Sequence, residues 1–344
     1  MKRIRIAAVV LFVIGLGLTA SETQADVFLE DGGFHIIDGP SEPVVVDLSG
    51  SSSSPTTVEI RTGADIDGNP VFDTSLETYL SSTATMNGGR LQQDAVTFDD
   101  STFIFNGGII DDDIDAFDDS IVRMNGGTVA DSFFTNDFAQ AFITGGTIEN
   151  DLIAFGLSDV NITGGTFKDE VTFFDGSTGS INGGILENDL NVGGFSQVTV
   201  NSSVGDDVEA KDFGFVQIFG GTYFEDIEAS DESRIEIYGG SIGVGGTFDT
   251  GISATGSGGG FGGGSLISLF GPEFFVDGVP TFGPLIFTSG TLSGTLSDGS
   301  TFSMPFEADG GVILLNFRPV PEPTSATLLF LGLMTGALRR RRRQ

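Results

Sequence analysis

No cysteine and no tryptophan occur among the 344 residues, and histidine appears once, as His35. Without thiols the chain forms neither disulfides nor thiolate metal centres, so its stability must come from packing, backbone pairing or bound cations. A lone imidazole leaves little room for histidine-based catalysis, and with no partner evident His35 reads as a loop residue. Basic side chains are also scarce: 15 Lys and Arg stand against 48 Asp and Glu, a formal charge of -33. Three of the 15, Lys2, Arg3 and Arg5, lie at the start, and five, Arg339, Arg340, Arg341, Arg342 and Arg343, lie at the end. Residues 26–319 therefore hold seven basic and 46 acidic side chains. Such a surface repels phosphates, which excludes nucleic-acid binding, and suits cations or basic partners.

What the chain has in quantity is glycine, 52 residues, and phenylalanine, 32 residues. The aromatic content is too high for a disordered acidic polymer, so something buries those rings. Glycine pairs at 88–89, 107–108, 126–127, 145–146, 164–165 and 183–184 recur every nineteen residues. Ser202-Ser203 stands where the next pair is due, Gly220-Gly221 comes one residue early, and Gly239-Gly240 restores the step, making nine repeats over residues 81–249.

Two residues before the pairs lies an apolar column: Met86, Phe105, Met124, Ile143, Ile162, Ile181, Val200, Ile218 and Ile237. Two before that is a second column, large at Phe103, Val122 and Val160 and small at Ala84, Ala141 and Gly179. A third follows seven residues after the first glycine: Ala95, Ile114, Phe133, Leu152, Val171, Leu190, then Val208 and Ile227 after the slip. Alternation running into Gly-Gly predicts a short strand ending at a tight turn. One repeat is too short to close a core, but stacked repeats bury these columns as ladders. The expected fold is all-β: a parallel β-solenoid, with a right-handed β-helix favoured. The glycines answer a need for positive φ or close backbone approach, and none is followed by the Lys-Ser/Thr of a nucleotide loop.

Around the rod, residues 26–80 are expected to form an irregular N-terminal cap region, needed because an open coil end is an unpaired edge. Residues 250–264 read as a Gly-rich linker. Alternation resumes over 265–319 with turns at Ser297-Asp298-Gly299 and Asp309-Gly310-Gly311, predicting a small antiparallel C-terminal β unit.

The two ends read as addresses. Residues 1–25 run from a basic start through an apolar stretch, Ile6 to Leu18, to small residues before a cut after Ala25 or Ala20, the order of a secretory signal peptide. Residues 320–344 contain Pro321-Glu322-Pro323, an uncharged stretch from Thr324 to Leu338 and the five arginines. That stretch reads as a terminal hydrophobic helix, a marginal membrane anchor whose arginines stay cytoplasmic. Triplet, helix and arginine cluster resemble the PEP-CTERM sorting signal, also catalogued as an ice-binding protein C-terminal domain. The resemblance implies recognition of Pro321, Glu322 and Pro323 by an exosortase-like membrane enzyme, transient anchoring, and delivery to the cell surface or extracellular matrix, with exopolysaccharide as a candidate partner.

Acidic clusters at Asp99-Asp100, Asp111-Asp112-Asp113, Asp118-Asp119 and Asp206-Asp207 invite calcium, although solvated turns explain them more simply and the calcium β-roll nonapeptide is missing. Catalytic residues are not expected. A carbohydrate-active β-helix lyase or hydrolase is the alternative, but Arg90, Arg123, Lys168, Lys211 and Arg234 are few for acidic sugars and no carboxylate pair stands out. The resemblance also raises an ice-binding surface, for which Thr128, Thr147, Thr166 and Thr222 give a partial column. The reading favoured is an exported structural or adhesive surface protein without enzymatic activity.

Overall fold

The computed structural model describes residues 26–48, 54–69, 72–243, 251–256 and 264–319. The expected signal peptide, the sorting tail with Pro321, Glu322, Pro323 and Arg339 to Arg343, and most of the Gly-rich segment lie outside the described residues. Within them the protein is an all-β parallel solenoid of about eleven turns, with no helix.

Each turn contributes one strand to each of three sheets. In one turn the chain runs through Gln140–Ile143, then Thr147–Ile148, then Leu152–Ala154. These belong to sheets of fourteen, eleven and sixteen strands, called sheet 2, sheet 3 and sheet 1 below. Register is kept between turns: Ile143 lies between Met124 and Ile162, Thr147 between Thr128 and Thr166, and Leu152 between Phe133 and Val171. The three sequence columns are therefore three interior ladders, and their members are buried in one continuous core. Burying an alternating face is what makes such short strands stable, because each turn supplies the dry surface its neighbours need.

Two further interior ladders complete that core. Sheet 3 contributes Leu91, Ile110, Val129, Ile148, Phe167, Leu186, Val204, Tyr223 and Ile242, all buried. Its strands are two residues long, one side chain inward and one outward, so no alternation announces them. Sheet 1 contributes a second inward position filled by small residues such as Ala116, Thr135 and Ala154, and by Phe173 where Gly179 makes room.

The glycine pair divides its work. A Cβ on Gly145 would sit 2.8 Å from the Asn125 carbonyl oxygen of the preceding turn, while Gly146 adopts φ 99°. Close approach constrains the first glycine and positive φ the second. At 201–203 the chain omits one residue: Val200 stacks on Ile181, nineteen residues back, but Val204 stacks on Leu186, eighteen back. The shortening falls at the corner itself, so neither flanking ladder loses register.

The ladders begin earlier than the fixed period shows. Val27–Leu29, Val44–Val46 and Thr74–Thr78 are the first strands of sheet 1, and Val58 and Ile60 stack on Ala84 and Met86. Most spacings here exceed nineteen because loops intervene, as between Val44 and Leu76 or Val58 and Ala84, although Val27 and Val44 are only seventeen residues apart. His35 lies on the strand Phe34–Ile37, in the ladder position of Val58, and its Nε2 is 2.8 Å from Asp31 Oδ1. It is thus a strand residue at the first turn, and its carboxylate partner lies four residues before it in the chain.

At the other end, Leu266–Gly271 continues sheet 2, and Val312–Phe317 adds a further parallel strand to it. Thr301–Asp309 likewise adds to sheet 1. Between them, strands from Glu273–Val276 to Thr288–Thr295 pair antiparallel. The turn at Asp298 closes back on the solenoid, its Oδ2 accepting the Gly240 N–H at 2.9 Å.

Candidate functional site: an acidic and aromatic face

The outer face of sheet 1 has the densest chemistry. In its three-residue strands from Ile114–Ala116 to Ile227–Ala229 the middle residue points out between two inward neighbours, as Asp115 does between Ile114 and Ala116. Stacking aligns these positions into a column that includes Glu77, Val96, Asp115, Phe134, Ile153, Thr172 and Asn191. One lip of the face is the corner entering sheet 1, and the other is the corner leaving it.

The entering lip is acidic. Asp113, Asp151, Asp189, Asp207 and Asp226 each sit one residue before a sheet 1 strand, Asp94 opens the strand Asp94–Thr97, and all six act as backbone acceptors. Asp94 Oδ1 takes the Asp113 N–H at 3.0 Å, Asp113 Oδ1 that of Ser132 at 2.7 Å, and Asp207 Oδ1 that of Asp226 at 2.8 Å. A carboxylate here satisfies an N–H that the corner leaves without a strand carbonyl. The role is structural, and it draws the acids together. Asp94, Asp112 and Asp113 place carboxylate oxygens within 4.8 Å of one another, as do Asp189, Asp206 and Asp207. Burial, then repulsion from neighbouring aspartates, pushes Asp94 up to about 7 and Asp115 up to about 6, against the Asp113 N–H bond that lowers Asp94. Asp207 rises to about 6 for the same first cause.

A divalent cation at either triad would find three carboxylate oxygens, of the six to eight oxygens that calcium takes, and would relieve that repulsion. The other two acidic clusters are different. Asp99 and Asp118 hold φ of 54° and 56° at the corner leaving sheet 1, and Asp118 Oδ2 accepts the Asp99 N–H at 3.2 Å. They belong to tight turns, where Asp tolerates the left-handed conformation, and neither lies in a carboxylate triad.

The leaving lip is aromatic at its N-terminal end. Tyr79 stacks on Phe98 with ring centroids 4.8 Å apart and Phe98 on Phe117 at 5.4 Å, one ring per turn. Between the lips lie two open cavities. One of about 460 Å³ is lined by Phe28, Glu77, Tyr79, Asp94, Phe98 and Asp115 among others, and one of about 420 Å³ by Glu170, Phe174, Asp189, Glu209 and Lys211. The sequence columns did not single out this lip, because the stacked rings face out and follow the strand instead of lying within it.

All seven basic residues of 26–319 are engaged. Arg61, Arg90, Lys168, Lys211 and Arg234 pair with Glu59, Asp111, Glu149, Glu209 and Glu236. Arg123 lies over the Phe142 ring at 4.5 Å and Arg318 over Tyr238 at 5.2 Å. No strong positive site faces an acidic sugar or a phosphate from this set. Thr128, Thr147 and Thr166 do stack in successive turns of sheet 3, between Ile109 and Ile185. Because each sheet 3 strand presents one outward residue, this column is single file.

Among the described residues no helix is long and apolar enough to cross a membrane. Comparison with family models, with curated proteins and with solved structures returns no match, so the chemistry of this face stands on its geometry alone.

Proposed function

We propose that the protein is an exported structural or adhesive component of the cell surface or extracellular matrix, without enzymatic activity. The observation that supports this best is the solenoid itself. About eleven turns at ~4.8 Å each make a rod roughly 53 Å long, whose many acids and few cations are absorbed into turn hydrogen bonds and ion pairs. A regular rod of this kind spaces and presents a surface, and its acidic exterior keeps it soluble without disulfides.

The finer features belong to the same reading. The winding is right-handed, as parallel crossovers favour, and the antiparallel strands after Glu273 cap the far end. Residues 1–25 direct export. Pro321, Glu322 and Pro323, the hydrophobic helix after them and the five arginines hold the chain at the membrane until an exosortase-like enzyme processes it. Mass spectrometry of the mature protein from its native host, with fractionation of cells and matrix, tests this. The expected result is a chain that starts after Ala25 or Ala20, lacks the arginine cluster and is found outside the cell. A full-length chain in the cytoplasm overturns it.

A further inference from the structure

We infer that the N-terminal end of the solenoid is a self-association surface, on which a second copy of the chain pairs head to head by antiparallel strand addition. This rests on the export reading above for the position of the N-terminal cut.

The two ends of the rod are finished differently. Val27–Leu29, Phe34–Ile37 and Pro40–Ser41 stand first in their sheets, each with a strand partner on one side only among the described residues. The Val27 N–H donates to the Pro43 carbonyl and the Asp47 N–H to that of Leu29, so Val27 and Leu29 bond the following turn. Thr57 and Arg61 donate in the same way to the Gly33 and Ile37 carbonyls. Because successive residues of a parallel strand bond to opposite sides, Phe28, Phe34 and Ile36 aim their N–H and C=O groups at the open end. Their side chains are 52%, 61% and 44% exposed. Neither of these two strands carries an acid or a proline, although charge and proline are what ordinarily blunt an edge. The far end is blunted: the outermost strands of sheets 1 and 2, Val279–Pro280 and Gly283–Leu285, each contain a proline, Pro280 and Pro284.

What covers the open end follows from how much chain remains upstream of it. A cut after Ala25 makes Asp26 the first residue, and a cut after Ala20 leaves five residues before it, enough to pair one edge strand and not both. A second copy brings the same edges. Under a two-fold axis through Phe34–Ile37, the longest of the three, this strand meets the same strand of the partner antiparallel, and the outward groups of Phe34 and Ile36 gain main-chain bonds. Because the far ends are blunted, association closes at two copies and no filament grows. The product is a rod roughly 106 Å long with a C-terminal unit at each end. Acids flank the paired strands at Asp26, Glu30, Asp31 and Asp38, so two copies repel through their rims and salt tightens the pairing, whereas it would loosen a basic partner.

The test is sedimentation equilibrium of the protein purified from its native host, with its ends read by mass spectrometry and its amides by hydrogen exchange. The expected result is a mass of two chains, association that strengthens as salt is raised, and slowed exchange at Phe34 and Ile36 that is lost on dilution. Ile36→Pro removes one outward N–H at an edge where proline is tolerated, and should weaken association about tenfold or more. Ile36→Val keeps the N–H and should remain dimeric. Circular dichroism melting of the diluted variants checks that both fold, and if Ile36→Pro does not, the exchange of the unaltered chain decides. A monomer, a series of ever larger species, association that weakens with salt, unslowed exchange at Phe34 and Ile36, or an Ile36→Pro dimer as tight as wild type overturns the inference. A dimer whose chains still carry residues 1–25 keeps the pairing and removes the cut, whereas a cut chain that stays monomeric removes the pairing and leaves the export reading standing.

Discussion

Asp118 shows how much of this chain's acidity is conformational. Its φ of 56° is left-handed, and its carboxylate accepts the Asp99 N–H of the turn before. A β-branched residue there meets a left-handed penalty of about 1–2 kcal/mol and loses that acceptor. Asp118→Val should therefore lower the urea midpoint by at least that free energy, whereas Asp118→Gly, which matches the native Gly156 and Gly194 of equivalent corners, should stay much closer to wild type. Equal losses for both would show that the hydrogen bond dominates. Gly179 makes the complementary point in the core. A Cβ at Gly179 would meet the Phe173 ring at 2.6 Å, so one turn trades a large residue in sheet 1 for none in sheet 2. Gly179→Val should cost about 1–3 kcal/mol by overpacking. Combined with Phe173→Ala it should cost less than the two changes summed, read in a denaturation cycle.

At the scale of the strand, what the sequence discloses depends on strand length. Sheet 2 strands run four or more residues into a glycine pair, so Ile143, Ile162 and their neighbours declare both periodicity and face. Sheet 3 strands are two residues long, and Ile148 or Phe167 carries no local pattern. Only the nineteen-residue recurrence marks them, because a single inward side chain per strand carries no alternation of its own. The turns before residue 80 were hidden for a different reason: loops lengthen the spacing, so Val58 and Ile60 fall outside a fixed period although they stack on Ala84 and Met86. The aromatic lip of Tyr79, Phe98 and Phe117 was invisible because outward rings are indistinguishable from core rings in a list of apolar positions. Strand ends carry their own reinforcement. Asn106 donates to Asn87 Oδ1 and accepts from Asn125, both at 2.8 Å. Asn87 donates on to Glu59 and Asn125 accepts from Thr144, so each of the three makes two such bonds; the ladder is exposed, and Asn87→Ala, Asn106→Ala and Asn125→Ala should each cost about 1 kcal/mol in urea unfolding.

For the whole molecule the acidic lip sets the response to pH. Asp94, Asp115 and Asp207 have folded-state values raised to about 7, 6 and 6. A raised carboxylate binds its proton more tightly in the folded than in the unfolded state, so its contribution is full below the unfolded value near 4 and is lost as pH rises through the folded value. The thermal midpoint should accordingly climb as pH falls from 8 towards 5, and Asp94→Asn should flatten that climb in differential scanning calorimetry. Calcium supplies a second route to the same relief: added at pH 8 after chelation, it should raise the midpoint if the two triads hold it, and neither heat nor a gain in midpoint would remove them as cation sites.

Regular stacking also decides how such a chain can be made. The strand partners of each turn lie overwhelmingly in the turn just before or just after it, and Leu152 needs only Phe133 and Val171 to find its place. Assembly can therefore advance like a zip from whichever end emerges first, with no wait for a distant segment to arrive. A polypeptide threaded lengthwise through a narrow pore could gather into its final shape as it exits, and damage at one point would loosen the coils beside it before those far away.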